Sequence, residues 1–136
     1  MNKETSTPTR ASVRPKVLIA DDGAYIRRLL NLRLGNQYEI IEADDGVGAL
    51  RAVELHLPQV VLLDIMMPGE IDGLQVLKAI KGDPRLKHIH VAMVTARGQT
   101  KDGTNARKCG ADAYFVKPFS PREVVAWVDS KLPVQQ

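Results

Sequence analysis

Five short apolar runs, each followed by a longer segment with helical spacing, constrain this 136-residue chain more than any other feature. The runs span 17–20, 38–43, 60–63, 91–94 and 113–116. Four are nearly continuous and rich in β-branched residues, the pattern of strands buried on both faces. The second, Tyr38-Glu39-Ile40-Ile41-Glu42-Ala43, alternates more and is expected at a sheet edge. Between the runs, Ile26, Leu29, Leu30 and Leu34 share one helical face, as do Leu50, Val53 and Leu57, and Leu74, Leu77 and Ile80. Strand–helix alternation repeated five times predicts an α/β fold: a single doubly wound (βα)5 domain, its parallel five-stranded sheet covered on both faces.

The last helix has the clearest start, with Ser120 as N-cap, Pro121 at the first position and Glu123 three residues after the cap. Its apolar stripe is Val124, Val125, Val128 and Leu132. Asp72 and Gln75 give a similar start to the third helix. The fourth segment, 97–109, holds Gly98 and Gly103 and little apolar beyond Ala106 and Cys109. Each interior glycine costs about 1 kcal/mol against alanine, so this helix is expected to be short or mobile.

Lys3, Arg10, Arg14 and Lys16 against Glu4 place the chain's whole charge excess of +3 in its first sixteen residues. Residues 1–15 read as a disordered basic tail, 16–132 as the folded domain and 133–136 as a frayed end. A neutral body with 4% aromatic residues argues against sequence-specific nucleic-acid binding. No apolar run is long enough to cross a membrane, and the polar N-terminus is not followed by an apolar signal core, so a secreted protein is not expected. A single cysteine, Cys109, forms no internal disulfide; a cytoplasmic location is expected.

In a doubly wound sheet, function collects at the carboxyl ends of the strands. The first strand ends in Asp21-Asp22, the third in Asp64, the fourth in Thr95 and the fifth in Lys117. Two like charges about 4 Å apart repel by roughly 4 kcal/mol at an effective dielectric of 20. Such a cluster shifts its pKa values upward or binds a cation. Magnesium suits it, being a hard ion that uses a few carboxylates and a phosphate. A carboxylate can also attack phosphorus, giving an aspartyl-phosphate. Lys117 and a metal would neutralise charge, and the Thr95 hydroxyl could bond a phosphoryl oxygen. No Gly-rich loop of the ATP-binding kind is present.

These residues resemble the receiver domain of a bacterial two-component response regulator. The likeness runs from about Lys16 to Leu132 and rests on Leu18-Ile19-Ala20-Asp21-Asp22, Leu63-Asp64-Ile65-Met66-Met67-Pro68-Gly69, Val94-Thr95-Ala96 and Val116-Lys117-Pro118-Phe119. The resemblance implies a flavodoxin-like sheet with strand order 2-1-3-4-5. It implies that Asp64 accepts a phosphoryl group from a histidine kinase, a phosphotransfer protein or a small phosphodonor. It implies Mg²⁺, with Mn²⁺ able to substitute, held by Asp22 and Asp64, by Asp21 mainly through water, and by the Met66 backbone carbonyl. Lys117 would pair with a phosphoryl oxygen, and the Lys117–Pro118 peptide would be cis. Thr95 and Tyr114 would form a switch pair that alters partner binding on the face of the fourth helix, fifth strand and fifth helix. Met66 and Arg97 flank the site where the family tunes phosphoryl lifetime. An apolar Met66 cannot orient water, which points to slow self-dephosphorylation, over minutes to hours.

Two departures stand out. The loop from Asp64 to Asp72-Gly73 is one residue longer than the commoner family spacing, so a reshaped loop beside a surviving site is expected. The fourth helix is rich in glycine and polar residues, which bears on the output surface rather than the chemistry. The chain is thus expected to be a switch, not a multiple-turnover enzyme. Its output would come through contact with a downstream protein, unless it is a fragment of a longer protein; a homodimer is an open alternative. A phosphohydrolase would need a second Asp where Met66 stands. A nucleotide or flavin domain would need a less acidic first turn than Asp21-Asp22-Gly23. The remaining alternative is a degenerate receiver that binds a protein partner without phosphorylation.

Overall fold

The computed structural model describes residues 14–96 and 100–132, with backbone only at 100–103. Its elements alternate along the chain: β1 (Lys16–Ala20), α1 (Ala24–Leu34), β2 (Glu39–Ala43), α2 (Gly46–His56), β3 (Val60–Leu63), α3 (Gly73–Lys81), β4 (His90–Thr95), α4 (Thr100–Lys108), β5 (Ala113–Val116) and α5 (Pro121–Lys131). The strands form one sheet in the order β2-β1-β3-β4-β5, and every pairing is parallel.

Alternate side chains of each strand feed two separate cores, as the pleat requires. Leu18, Ala20, Val61, Leu63, Val91 and Met93 pack under α2, α3 and α4. Val17, Ile19, Val60, Leu62, Ala92 and Val94 pack under α1 and α5, through Leu30, Leu34, Val124 and Val128. β1, β3 and β4 are buried almost throughout. β2 lies at one edge. β5 lies at the other, so the expectation that it is buried on both faces fails; its residues are half-buried and Val116 is exposed. An edge strand has one neighbour, and apolar content alone does not distinguish it from a central one.

The helix faces largely follow the apolar spacing, and α3 carries the Asp72–Gln75 capping box. On α5, the Ser120 hydroxyl accepts from the Glu123 N–H. Leu57 is a correction. It is exposed in the left-handed C-cap of α2, where its N–H donates to the Val53 carbonyl. Pro58 follows, and the helix cannot continue through it. The buried face of α2 is instead Gly46, Ala49 and Val53. α4 starts only at Thr100 and runs nine residues, shorter than the expected segment. Cys109 is half-buried, and Trp127 meets Phe115 edge-on, with ring centroids 6.4 Å apart. Arg14 donates to the carbonyls of Gly35 and Asn36. Of the tail expected to be disordered over 1–15, residues 1–13 fall outside the described residues, as do 133–136, whereas Arg14 and Pro15 are described and the Pro15 carbonyl accepts from the Glu39 N–H.

Tyr38, buried in the α1–β2 connection, donates its hydroxyl proton to Asp129 of α5 at 2.5 Å. Burial and the Asp129 carboxylate push its pKa well above the ordinary value. A raised folded-state pKa gives stability that is complete below pH 10, the unfolded value, and is lost as pH rises further. Tyr38→Phe should therefore cost about 1 kcal/mol at pH 7 in urea denaturation. The gap to wild type should narrow above pH 10.

Candidate functional site

The ladder hydrogen bonds run one residue past the strand ends and place the polar residues. The Asp21 N–H donates to the Ala43 carbonyl, that of Asp64 to Ala20, and that of Lys117 to Thr95. Asp21, Asp64, Thr95 and Lys117 are thereby gathered at one edge of the sheet. Asp21, Asp64 and Thr95 are buried at 3%, 5% and 0% exposure. Asp22 is exposed, yet one carboxylate oxygen each of Asp21, Asp22 and Asp64 lies within 4.8 Å of the others.

Lys117 reaches into this cluster from beyond β5. Its Nζ donates to Asp21 Oδ2 at 2.6 Å and to Asp64 Oδ2 at 3.1 Å. Asp64 Oδ1 accepts from the Met66 N–H at 3.2 Å, and Asp21 Oδ1 from the Gly23 N–H at 2.8 Å. Burial raises the Asp21 pKa above the usual carboxylate range despite the Lys117 hydrogen bond. Burial alone would lower the Lys117 ammonium, but its bonds to Asp21 and Asp64 outweigh that and hold it up. One ammonium does not balance three carboxylates, so the cluster keeps net negative charge. Its donors are all oxygen, with no His or Cys, which fits a hard divalent cation.

Met66 is exposed between buried Ile65 and Met67, and Gly69 turns the longer loop with φ +97°. The acidic cluster is intact beside that loop. Tyr114 is half-buried on β5, packed against the core that includes Met93 and Ala106. The Lys117–Pro118 peptide bond is cis. Arg97 lies outside the described residues.

Sequence reasoning missed two supports of the site. A Cβ on Gly73 would stand 1.9 Å from the Asp64 carbonyl oxygen, so α3 begins against the Asp64 backbone. The Gly73 N–H also donates to the Ile65 carbonyl at 2.8 Å. The second is Arg27, which donates to the Asp21 carbonyl. The Asp72-Gly73 pair was a visible signal for the first; nothing in the sequence marked the second.

A family model described as the response regulator receiver domain matches residues 17–129. The chain belongs to this receiver family. It is 42% identical over 120 residues to transcriptional regulator ycf27 of Guillardia theta, covering 88% of this chain and 46% of that protein. It is 38% identical over 112 residues to the phosphate regulon regulatory protein PhoB of Klebsiella pneumoniae, covering 82% and 48%. The receiver thus spans about half the length of these curated relatives. Among solved structures, it is similar to a Francisella response regulator receiver domain at 29% identity and TM-score 0.77, covering 87% and 96%. It is also similar to chemotaxis protein CheY4 of Vibrio cholerae at 27% identity and TM-score 0.80, covering 88% and 100%. Receiver domains are phosphorylatable signalling switches that work with histidine kinases or phosphotransfer proteins. Among the described residues, no helix is long and apolar enough to cross a membrane.

Gly73→Ala forces a methyl group into the Asp64 backbone. It should cost about 1–3 kcal/mol, read as a lower urea midpoint at unchanged slope.

Proposed function

We propose that Asp64 is the phosphoacceptor, receiving a phosphoryl group from a histidine kinase, a phosphotransfer protein or a small phosphodonor. The observation that carries this is the buried Asp64 carboxylate, held between the Lys117 ammonium and the Met66 N–H and grouped with Asp21 and Asp22. An Asp64 oxygen attacks phosphorus, a P–O bond forms, the P–N bond to the donor breaks, and the leaving nitrogen takes a proton. Lys117 pairs with a phosphoryl oxygen and steadies the added charge. Mg²⁺, or Mn²⁺ in its place, would supply further neutralisation. The residues to hold it are Asp22 and Asp64, the Met66 backbone carbonyl, and Asp21 mainly through water.

The switch pair is Thr95 and Tyr114. Thr95 is buried at the end of β4, and Tyr114 is half-buried on the adjoining strand. In this reading the Thr95 hydroxyl moves toward the phosphoryl group, Tyr114 turns inward, and the α4–β5–α5 face changes its affinity for a downstream protein. Phosphorylation biases an existing two-state equilibrium through that difference. Each chain takes one phosphoryl group, so it acts as a switch rather than a turnover enzyme. The cytoplasm, where a kinase has ATP, is the matching location.

Incubation with phosphoramidate and Mg²⁺ should add one phosphoryl group by intact mass, and Asp64→Asn or a chelator should abolish it. A gain that survives Asp64→Asn would remove Asp64 as acceptor. No gain by folded protein that binds Mg²⁺ would favour a degenerate receiver that binds its partner without phosphorylation.

The Met66 side chain is 54% exposed and apolar, with no group to orient an attacking water. After donor removal, the added mass should decay over minutes to hours. Decay within seconds would overturn this role for Met66.

A further inference from the structure

We propose that Arg27, braced by Glu42, is a positioning residue that holds the Asp21–Asp22 turn in its cation-binding shape. The inference rests on the site reading above. Arg27 Nη1 donates to the Asp21 carbonyl at 2.7 Å, and Nε donates to Glu42 Oε1 at 2.9 Å. Asn31 Nδ2 donates to the other Glu42 oxygen, also at 2.9 Å. The guanidinium therefore bridges a backbone carbonyl and a carboxylate that is itself held in place. The Arg27 side chain is 18% exposed and that of Glu42 37%, so the bond to the Asp21 carbonyl is part-buried while the Glu42 end of the fork is open to solvent.

The carbonyl that Arg27 grips belongs to the peptide joining Asp21 to Asp22. The Asp21 N–H is fixed by the Ala43 carbonyl, and its side chain by Gly23 and Lys117. With the carbonyl also held, the peptide plane is set. That plane places the Asp22 nitrogen and Cα, from which the exposed carboxylate extends. Groups that orient metal ligands in this way typically change metal affinity by 10–100-fold when removed. Arginine suits the task because its planar fork serves both oxygens at once, whereas an ammonium is a point charge.

Charge alone predicts the opposite outcome. A guanidinium near a cation site repels the cation, so deleting it would tighten binding. The sign of the change thus separates positioning from electrostatics.

The test is Mn²⁺ binding to the full chain, read from the free-ion electron paramagnetic resonance signal, with Mg²⁺ as competitor. Wild type should bind one ion, and Asp22→Asn should lose it. Arg27→Gln should weaken Mn²⁺ binding about tenfold. Arg27→Lys keeps the charge and stem but not the fork, and should weaken it at least about threefold. Glu42→Gln keeps an acceptor for Nε and should change it by less than Arg27→Gln does. Circular dichroism checks the fold of each variant, and Arg27→Lys carries the test if Arg27→Gln does not fold. Unchanged or tighter binding in the folded Arg27 variants, with Asp22→Asn defective, overturns this inference and leaves the site reading standing. No ion bound by wild type, or Asp22→Asn binding as wild type does, overturns the site reading and this inference with it.

Discussion

The Lys117 ammonium between Asp21 and Asp64 is the interaction on which the rest of the site depends. Two carboxylates taken out of water side by side carry a desolvation penalty of several kcal/mol each unless a counter-charge accompanies them. That counter-charge lies 96 residues from Asp21 in sequence. It is delivered only because β5 stands two places from β3 in a parallel sheet, so that both strands end on the same edge. A lysine stem is long enough to cross β4, where Thr95 lies buried between the acids and the ammonium's own strand.

Incomplete charge balance is what the proposed chemistry would use. A fully compensated triad would be a structural ion cluster with little reason to react. Here Lys117 offsets part of the negative charge and Asp22 stays exposed. The raised Asp21 pKa shows that the lysine bond does not fully offset burial. On the proposed reading, the excess carboxylate charge favours a divalent cation, and Lys117 together with that cation would then offset the charge of an anionic phosphoryl group.

The surroundings divide into a tightly built half and a looser one. On one side, Gly46 and Gly73 leave no room for a Cβ against the Ile71 and Asp64 carbonyls, so α2 and α3 press on the loop that carries Asp64. On the other, β5 is a half-buried edge, and among the described side chains of α4, those of 104–108, Ala106 is the buried one. Low burial means low local stability, which suits elements proposed to change arrangement.

By itself, the sequence determined the element order, the parallel sheet and the polar residues closing four of the five strands. Those follow from local chemistry: β-branched runs, helical spacing, the Ser120 and Asp72 caps, and residues such as Asp64 and Lys117 with no packing reason to end an apolar strand. It also read the second run as an edge. Leu57 was misread because spacing cannot show where a helix stops. β5 was misread because apolar content does not say how many neighbours a strand has. Only the tertiary structure decided that Lys117 bonds Asp21 and Asp64, that Gly73 abuts the Asp64 backbone, and that Arg27 grips the Asp21 carbonyl. The physical reason is that these contacts join residues on different elements, and their energy depends on distances that exist only after the sheet has brought those elements together.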